Sequence, residues 1–157
     1  MTPSIAIGLA QYSDSHEIAD LSRTLIEYGL PWTWRPGRIA REIAAPNKNV
    51  VVARDQDRLV GFGIMEYLDE HAYLVLFAVR TCTQRQGVGS AILQWLEASA
   101  LVAGAERVRV EARRSNVAGR CFYNEHGYHE VSIETRRYSG VEDGIVLQKW
   151  LRNTSEA

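Results

Sequence analysis

Ala72-Tyr-Leu-Val-Leu-Phe-Ala-Val79 is an unbroken apolar run with β-branched and aromatic members, and a run of that length and content reads as a buried strand. Soon after it comes Gln84-Arg85-Gln86-Gly87-Val88-Gly89-Ser90. From there Val88, Ile92, Trp95, Leu96 and Ser99 recur at helical spacing, with Gln94, Glu97 and Ala98 turned away. A glycine-rich turn between a buried strand and an amphipathic helix leaves backbone N–H groups free at the positive end of the helix dipole, where an anion such as a pyrophosphate fits. Gly87 and Gly89 let the backbone approach such a ligand with no Cβ in the way. The dinucleotide fingerprint needs a third glycine where Ile92 stands, and a P-loop needs a Lys that follows neither glycine. Taken alone, the turn suits a phosphate-bearing ligand and a plain strand-to-helix connection about equally.

A chain of 157 residues is long enough for one domain with a proper core, and 46% apolar with 24% charged residues is ordinary for a globular protein. A net charge of −1 gives no electrostatic reason to expect nucleic acid, whose phosphates call for clustered Lys and Arg. No apolar run approaches the ~20 residues of a membrane span, and the first residues lack a basic leader, so the expected location is the cytoplasm, away from membranes. Cys82 and Cys121 are then expected as packed, reduced thiols.

The remaining pattern alternates strands and helices. Ile5, Ile7 and Leu9 suggest a first strand. Asp14 and Glu17 read as a cap and its partner, opening a helix that runs to Tyr28 and stops at Gly29. A break over Pro31–Gly37 precedes a short helix through Ile39 and Ile43. Val50–Ala53 and Arg58–Met65 form a hairpin across Asp55-Gln-Asp57. After the long helix come a strand over Val108–Glu111, a helix over Asn116–His126, and strands near Val131–Tyr138 and Ile145–Leu151. The expected class is α/β: one domain over residues 1–152 with a mixed sheet and helices on both faces, and a disordered tail from 153 to 157.

A second motif follows the strand ending at Glu111: Asn116-Val-Ala-Gly-Arg-Cys-Phe122-Tyr123-Asn-Glu-His-Gly127-Tyr128. With the turn from Gln84 to Ser90 it resembles the GNAT N-acetyltransferase superfamily, whose pyrophosphate loop reads Arg/Gln-x-x-Gly-x-Gly/Ala and whose later helix carries Asn, Tyr and Gly-Phe/Tyr at these spacings. The resemblance spans roughly Val60 to Leu151. Glu111 and the tail Arg137-Tyr138-Ser-Gly-Val-Glu142-Asp143 are similar to the bacterial ribosomal-protein alanine N-acetyltransferases. Gly119 replaces the family's usual Ala, and Thr81 its usual Pro. The resemblance implies a mostly antiparallel twisted sheet of six or seven strands, splayed between its two central strands. The activity implied is acetyl transfer from acetyl-CoA to a primary amine, on a small molecule or a protein N-terminus. No metal is implied, and a homodimer is left open.

The same resemblance distributes roles. The amides of Gln84, Arg85, Gln86, Gly87, Val88, Gly89 and Ser90 hold the pyrophosphate, with Gln84 at the rim and Arg85 either on a phosphate or a solvated charge. The backbone of Phe77, Ala78 and Val79 pairs with the pantetheine arm. Asn116 caps its helix and touches the cofactor. Tyr123 is the general acid: a phenol of pKa about 10 stays protonated at neutral pH beside a departing thiolate of about 8.5. Its duller reading is a core aromatic like Phe122. Glu111 is the general base, on the strand face it shares with Arg107 and Arg109, or else one half of an ion pair with an Arg. Glu66 is the rival base. Trp32, Trp34, Glu66 and Tyr138 are candidates for contact with the acceptor. His126 and His129 straddle Gly127 and form no metal pair. Two other classes stay open: an idle acyl-CoA-binding regulator, and an interaction domain anchored by Trp32 and Trp34.

Overall fold

The computed structural model describes residues 5–81, 87–138 and 140–152. Along the chain run β1 (Ile5–Leu9), a 3-10 turn (Tyr12–Asp14), α1 (Ser15–Leu21), a π-helical turn (Ser22–Ile26) and α2 (Pro36–Ala44). Then follow β2 (Lys48–Asp55), β3 (Arg58–Tyr67), β4 (His71–Val79), α3 (Val88–Val102), β5 (Arg107–Arg113), α4 (Val117–Glu125), β6 (His129–Tyr138) and β7 (Glu142–Trp150). Cys82, Gln84, Arg85, Gln86 and the expected tail at 153–157 lie outside the described residues.

The strands make one sheet in the order β1-β2-β3-β4-β5-β7-β6. Neighbours are antiparallel except for the parallel pair β4 and β5. That pair sits at the centre and is short: its register runs only from His71↔Arg107 to Leu74↔Val110. Beyond it the strands part. The cause is visible in β4, where Ile64 faces Leu76 but Met65 faces Leu74, so Val75 is an extra residue. A bulge of this kind bends and twists its strand. Leu76–Ala78 keep β3 on one side, and among the described residues no strand pairs with them on the other.

Each sheet face has its own core. Val50, Val52, Phe62, Ile64 and Leu76 pack with Ile18, Leu21 and Ile39 of α1 and α2. Val51, Met65, Leu74, Val108 and Val110 pack with Ile92, Leu93 and Leu96 of α3 and Tyr123 of α4. In β2, β3 and β4 the side chains are divided between these two apolar layers, which is why those strands read as largely apolar runs.

Three local expectations are corrected. Asp14 does not cap α1 with Glu17 as its partner. Its carboxylate accepts from the backbone N–H of Gln11 at 2.8 Å and binds the Arg54 guanidinium, so the helix is entered through a 3-10 turn three residues earlier. The first helix also does not stay α-helical to Tyr28. It widens into the π turn, closed by Glu27 N–H donating to the Ser22 carbonyl at 2.8 Å, and ends there with Glu27 as its C-cap; Gly29, at φ +74°, lies in the turn that follows. On α3, Leu93 joins the core, while Glu97 turns inward to accept from Tyr128 Oη at 2.7 Å and Lys149 Nζ at 3.0 Å. Those two partners come from the far end of the sequence, so no helical-face pattern shows them. Among the described residues no helix is long and apolar enough to cross a membrane.

Candidate active site

Two cavities, of about 430 and 440 Å³, lie where β4 and β5 part. Both are lined by Leu25, Phe77, Asn116 and Tyr123, so they meet at those side chains. The second cavity is bounded by the open stretch of β4, by Gly87, Gly89 and Ser90 at the start of α3, and by Phe122 and His126 on α4.

Gly87 takes φ +82° at the helix N-cap, a conformation an L residue adopts at a cost of about 1–2 kcal/mol. Gly89 is small for a different reason. A Cβ there would stand 3.2 Å from the Phe122 ring and 3.3 Å from the Phe77 ring, which stack at 5.5 Å. Ser90 Oγ lies 2.7 Å from His126 Nε2, and His126 Nδ1 lies 2.8 Å from the Phe122 carbonyl. A carbonyl only accepts, so Nδ1 carries the hydrogen and, in the neutral ring, Nε2 accepts from Ser90. Asn116 caps α4 as expected, its Oδ1 accepting from the Gly119 N–H at 3.0 Å, and Gly127 ends that helix at φ +90°. Gly119 is more than a silent replacement of Ala, because the Asn116 side chain occupies the place a Cβ would need.

The first cavity is the other arm of the cleft, lined by Glu27, Trp34, Arg38, Tyr73, Glu111, Arg113, Arg137 and Tyr138 among others. Two carboxylates face it, and they differ. Glu27 is saturated: Oε1 accepts from Thr33 N–H and Thr33 Oγ1, each at 2.7 Å, and from Trp34 N–H at 3.3 Å, while Oε2 accepts from Ser22 Oγ at 2.9 Å. Glu111 is not. Its Oε2 accepts from Tyr73 Oη at 3.3 Å, but Oε1 is buried and has no hydrogen bond. Arg137 Nε stands 3.4 Å from that oxygen, an electrostatic contact with no N–H aimed along it.

Burial pushes the Glu111 carboxyl above the ordinary carboxylate range; Arg137 and the Tyr73 hydroxyl pull it back, and Glu134 adds a smaller upward push. Tyr73 is pushed up to about 12 by burial and then by Glu111. Tyr123, fully within the protein, is raised by burial and by Tyr73. Both phenols are therefore protonated donors at neutral pH.

Trp34 lines the cleft under the Arg38 guanidinium, 3.5 Å from its ring. Trp32 is instead sandwiched between Arg23 and Arg35, at 4.9 and 4.7 Å, outside the residues that line either cavity. Glu66 is also outside them, 3.8 Å from Lys48 Nζ and opposite Tyr73 in register. Cys121 is a free, exposed thiol rather than a packed one. Among the described residues no three His, Cys, Asp or Glu gather as a metal cluster would require.

Sequence reasoning did not single out Tyr73, Arg137, Glu27 or Gly144. Tyr73 left a trace: it is the one hydroxyl in an otherwise apolar strand. Gly144 left none. It lies on β7 beneath the Glu111 carboxylate, which fills the place its Cβ would occupy.

The Acetyltransferase (GNAT) domain model covers residues 33–149, and the chain belongs to that family. The [ribosomal protein bS18]-alanine N-acetyltransferase of Salmonella typhimurium is 31% identical over 94 residues, 58% of this chain and 64% of that protein. The chain thus matches a little less than two thirds of that relative's length. The N-alpha-acetyltransferase RimI of Mycobacterium tuberculosis is 28% identical over 141 residues, 87% of this chain and 86% of that one. Among solved structures, Ard1 from Thermoplasma volcanium superposes with a TM-score of 0.85 at 20% identity, covering 96% of this chain and 99% of its own.

Proposed function

We propose that the protein transfers the acetyl group of acetyl-CoA to a primary amine, with Glu111 as general base and Tyr123 as general acid. The observation that carries this reading is the Glu111 side chain, which lines a cleft that continues past Tyr123 to the start of α3 and whose buried Oε1 has no hydrogen-bond donor. A buried acceptor left open costs free energy unless a ligand fills it. Neither Glu27, with four donors, nor Glu66, outside the cleft, offers the same.

Acetyl-CoA fits the second arm. Its pyrophosphate would meet the amides from Gly87 to Ser90, together with the expected contacts at Gln84, Arg85 and Gln86, and its amide-bearing arm would lie along Phe77–Val79. The amine nitrogen attacks the thioester carbonyl, its proton passes to Glu111, the carbon–sulfur bond breaks, and Tyr123 donates to the departing sulfur. Burial that raises Tyr123 raises the basicity of a thiolate in the same dry site, so donor and acceptor stay matched.

An α-amine of pKa about 8 needs only about a tenfold deprotonation at pH 7, whereas a Lys amine near 10.4 costs about 5 kcal/mol. A single carboxylate suits the first, and the relatives named for alanine and N-alpha acetylation point the same way. A protein or peptide N-terminus is therefore the preferred acceptor over a small amine, and no role is assigned to a metal. Acetyl-CoA consumption over Ala-, Ser- and Met-initiated peptides, free amino acids and small amines tests the reading. Turnover with peptides that Glu111→Gln abolishes supports it. Tight acetyl-CoA binding without turnover on any amine would favour a regulatory module instead.

A further inference from the structure

Arg137 and Tyr138 are adjacent in β6, yet both line the acceptor arm of the cleft. In a regular strand neighbours point to opposite faces. The exception is built by an irregularity: the register between β6 and β7 slips between Glu134 and Tyr138, and Arg136 inside that interval takes φ +50° while its N–H donates to Asp143 Oδ1 at 2.8 Å. The bulge aims Arg137 across β7, over Gly144, toward Glu111. Only a glycine leaves that lane open.

The pair that results is lopsided. The Glu111 side chain is 9% exposed and that of Arg137 is 61% exposed, and the 3.4 Å contact carries no hydrogen bond. A guanidinium on a mostly solvated stem loses little by returning to water, whereas the buried carboxylate it leaves needs another cation in its place. The other groups near Glu111 are Tyr73 on β4, Tyr123 on α4, and Glu134 and Tyr138 on β6. Further along β5, Arg113 is tied to Glu142 at 2.6 Å, and other walls of the cleft carry the saturated Glu27 and Arg38 over Trp34. Among the described residues, none but Arg137 is a cation in contact with Glu111.

Resting on the assignment of Glu111 as base, we infer that Arg137 is a displaceable counter-cation: it sits against Glu111 in the empty cleft and yields that place to the ammonium of the incoming acceptor. The exchange of one cation for another keeps the buried carboxylate compensated until the moment it takes the proton. When the proton has moved, the guanidinium is free to return, and its return favours release of the proton from Glu111 before the next cycle. Arg137 is in this sense a positioning residue that touches the base and not the reacting atoms.

The test uses the full chain with Arg137→Gln and the charge-preserving Arg137→Lys. A carbon-13 titration of the Glu111 carboxyl, assigned with Glu111→Gln, should move upward by about one pH unit in Arg137→Gln and much less in Arg137→Lys. With an Ala-initiated peptide as acceptor, the acidic limb of kcat/KM, which reports the free enzyme, should move up by the same amount. The acidic limb of kcat, which reports the bound complex, should stay in place, because Arg137 has already left. An unmoved carboxyl titration overturns the inference, and so do kcat and kcat/KM limbs that shift together, since Arg137 would then be a permanent partner. Failure of every acceptor to turn over overturns the transferase reading itself, and is told apart because the carboxyl titration needs no acceptor.

Discussion

Glu111 and Tyr123 stand on different elements, and what suits each to its proposed role is its surroundings. For Glu111 the sign of the pH effects follows from its raised pKa. A base must be ionised, so kcat/KM should rise with pH through a limb lying above the ordinary carboxylate range, and Glu111→Gln should remove that limb along with most turnover. The same shift bears on stability. A carboxyl that binds its proton more tightly folded than unfolded lowers stability as pH climbs from the unfolded pKa through the folded one. Thermal unfolding at neutral pH should therefore find Glu111→Gln at least as stable as the parent, and a clear loss of Tm would argue that Glu111 serves structure first. For Tyr123, the phenylalanine variant should keep acetyl-CoA affinity and lose about 10²- to 10⁴-fold in turnover, measured where chemistry limits the rate. Gly144→Ala, which touches no proposed reactant, should also depress kcat, because the new methyl group claims the space of the Glu111 carboxylate.

At the scale of elements, the two glycines that open α3 separate two effects that the sequence presents as one. Gly87 has no neighbour within 4 Å of a hypothetical Cβ, so its requirement is the positive φ. Gly87→Val should distort the turn and weaken acetyl-CoA binding by titration calorimetry while leaving the far core intact. Gly89 is hemmed in by Phe77 and Phe122. Gly89→Ala overpacks that contact, and overpacking of this sort costs about 1–3 kcal/mol, so this variant should show its loss in Tm before it shows it in affinity. The first helix shows the limits of local signals from the other side. Asp14 and Glu17 have capping-box spacing, but Arg54, forty residues on, claims Asp14, and the cap moves to Gln11.

For the molecule as a whole, the acceptor arm depends on segments that no single strand or helix carries. Glu27 gathers Ser22, Thr33 and Trp34 into one wall, and Arg113 holds the same region by donating to the carbonyls of Ile26 at 3.2 Å and Tyr28 at 2.6 Å while it pairs with Glu142. Glu27→Gln keeps the shape but weakens the acceptance of four donors. Hydrogen bonds to a charged group contribute about 1.5–3 kcal/mol, so Tm should fall and the KM for a peptide acceptor should rise more than kcat falls. An unchanged KM would show that this wall does not meet the acceptor.

Strand periodicity, the glycine turn and the Asn116-to-Tyr128 spacing were enough to read the class of fold, the order of elements and the side of the sheet on which Glu111 stands, because each depends on residues close in sequence. The apolar alternation of Val108, Val110 and Ala112 by itself puts Arg107, Arg109 and Glu111 on the other face. Which Arg meets Glu111 was not legible: Arg109, its near neighbour, bonds Gln148, and the partner is Arg137, carried there by a bulge and a glycine on two other strands. The placement of Glu66 beside Lys48, of Trp32 between two arginines, and of Tyr73 against Glu111 belongs to the same kind. Local pattern fixes which face a side chain takes, since that follows from backbone geometry within a few residues. Which groups share a buried space is decided by register, bulges and missing side chains across the sheet, and those exist only once the whole chain has folded.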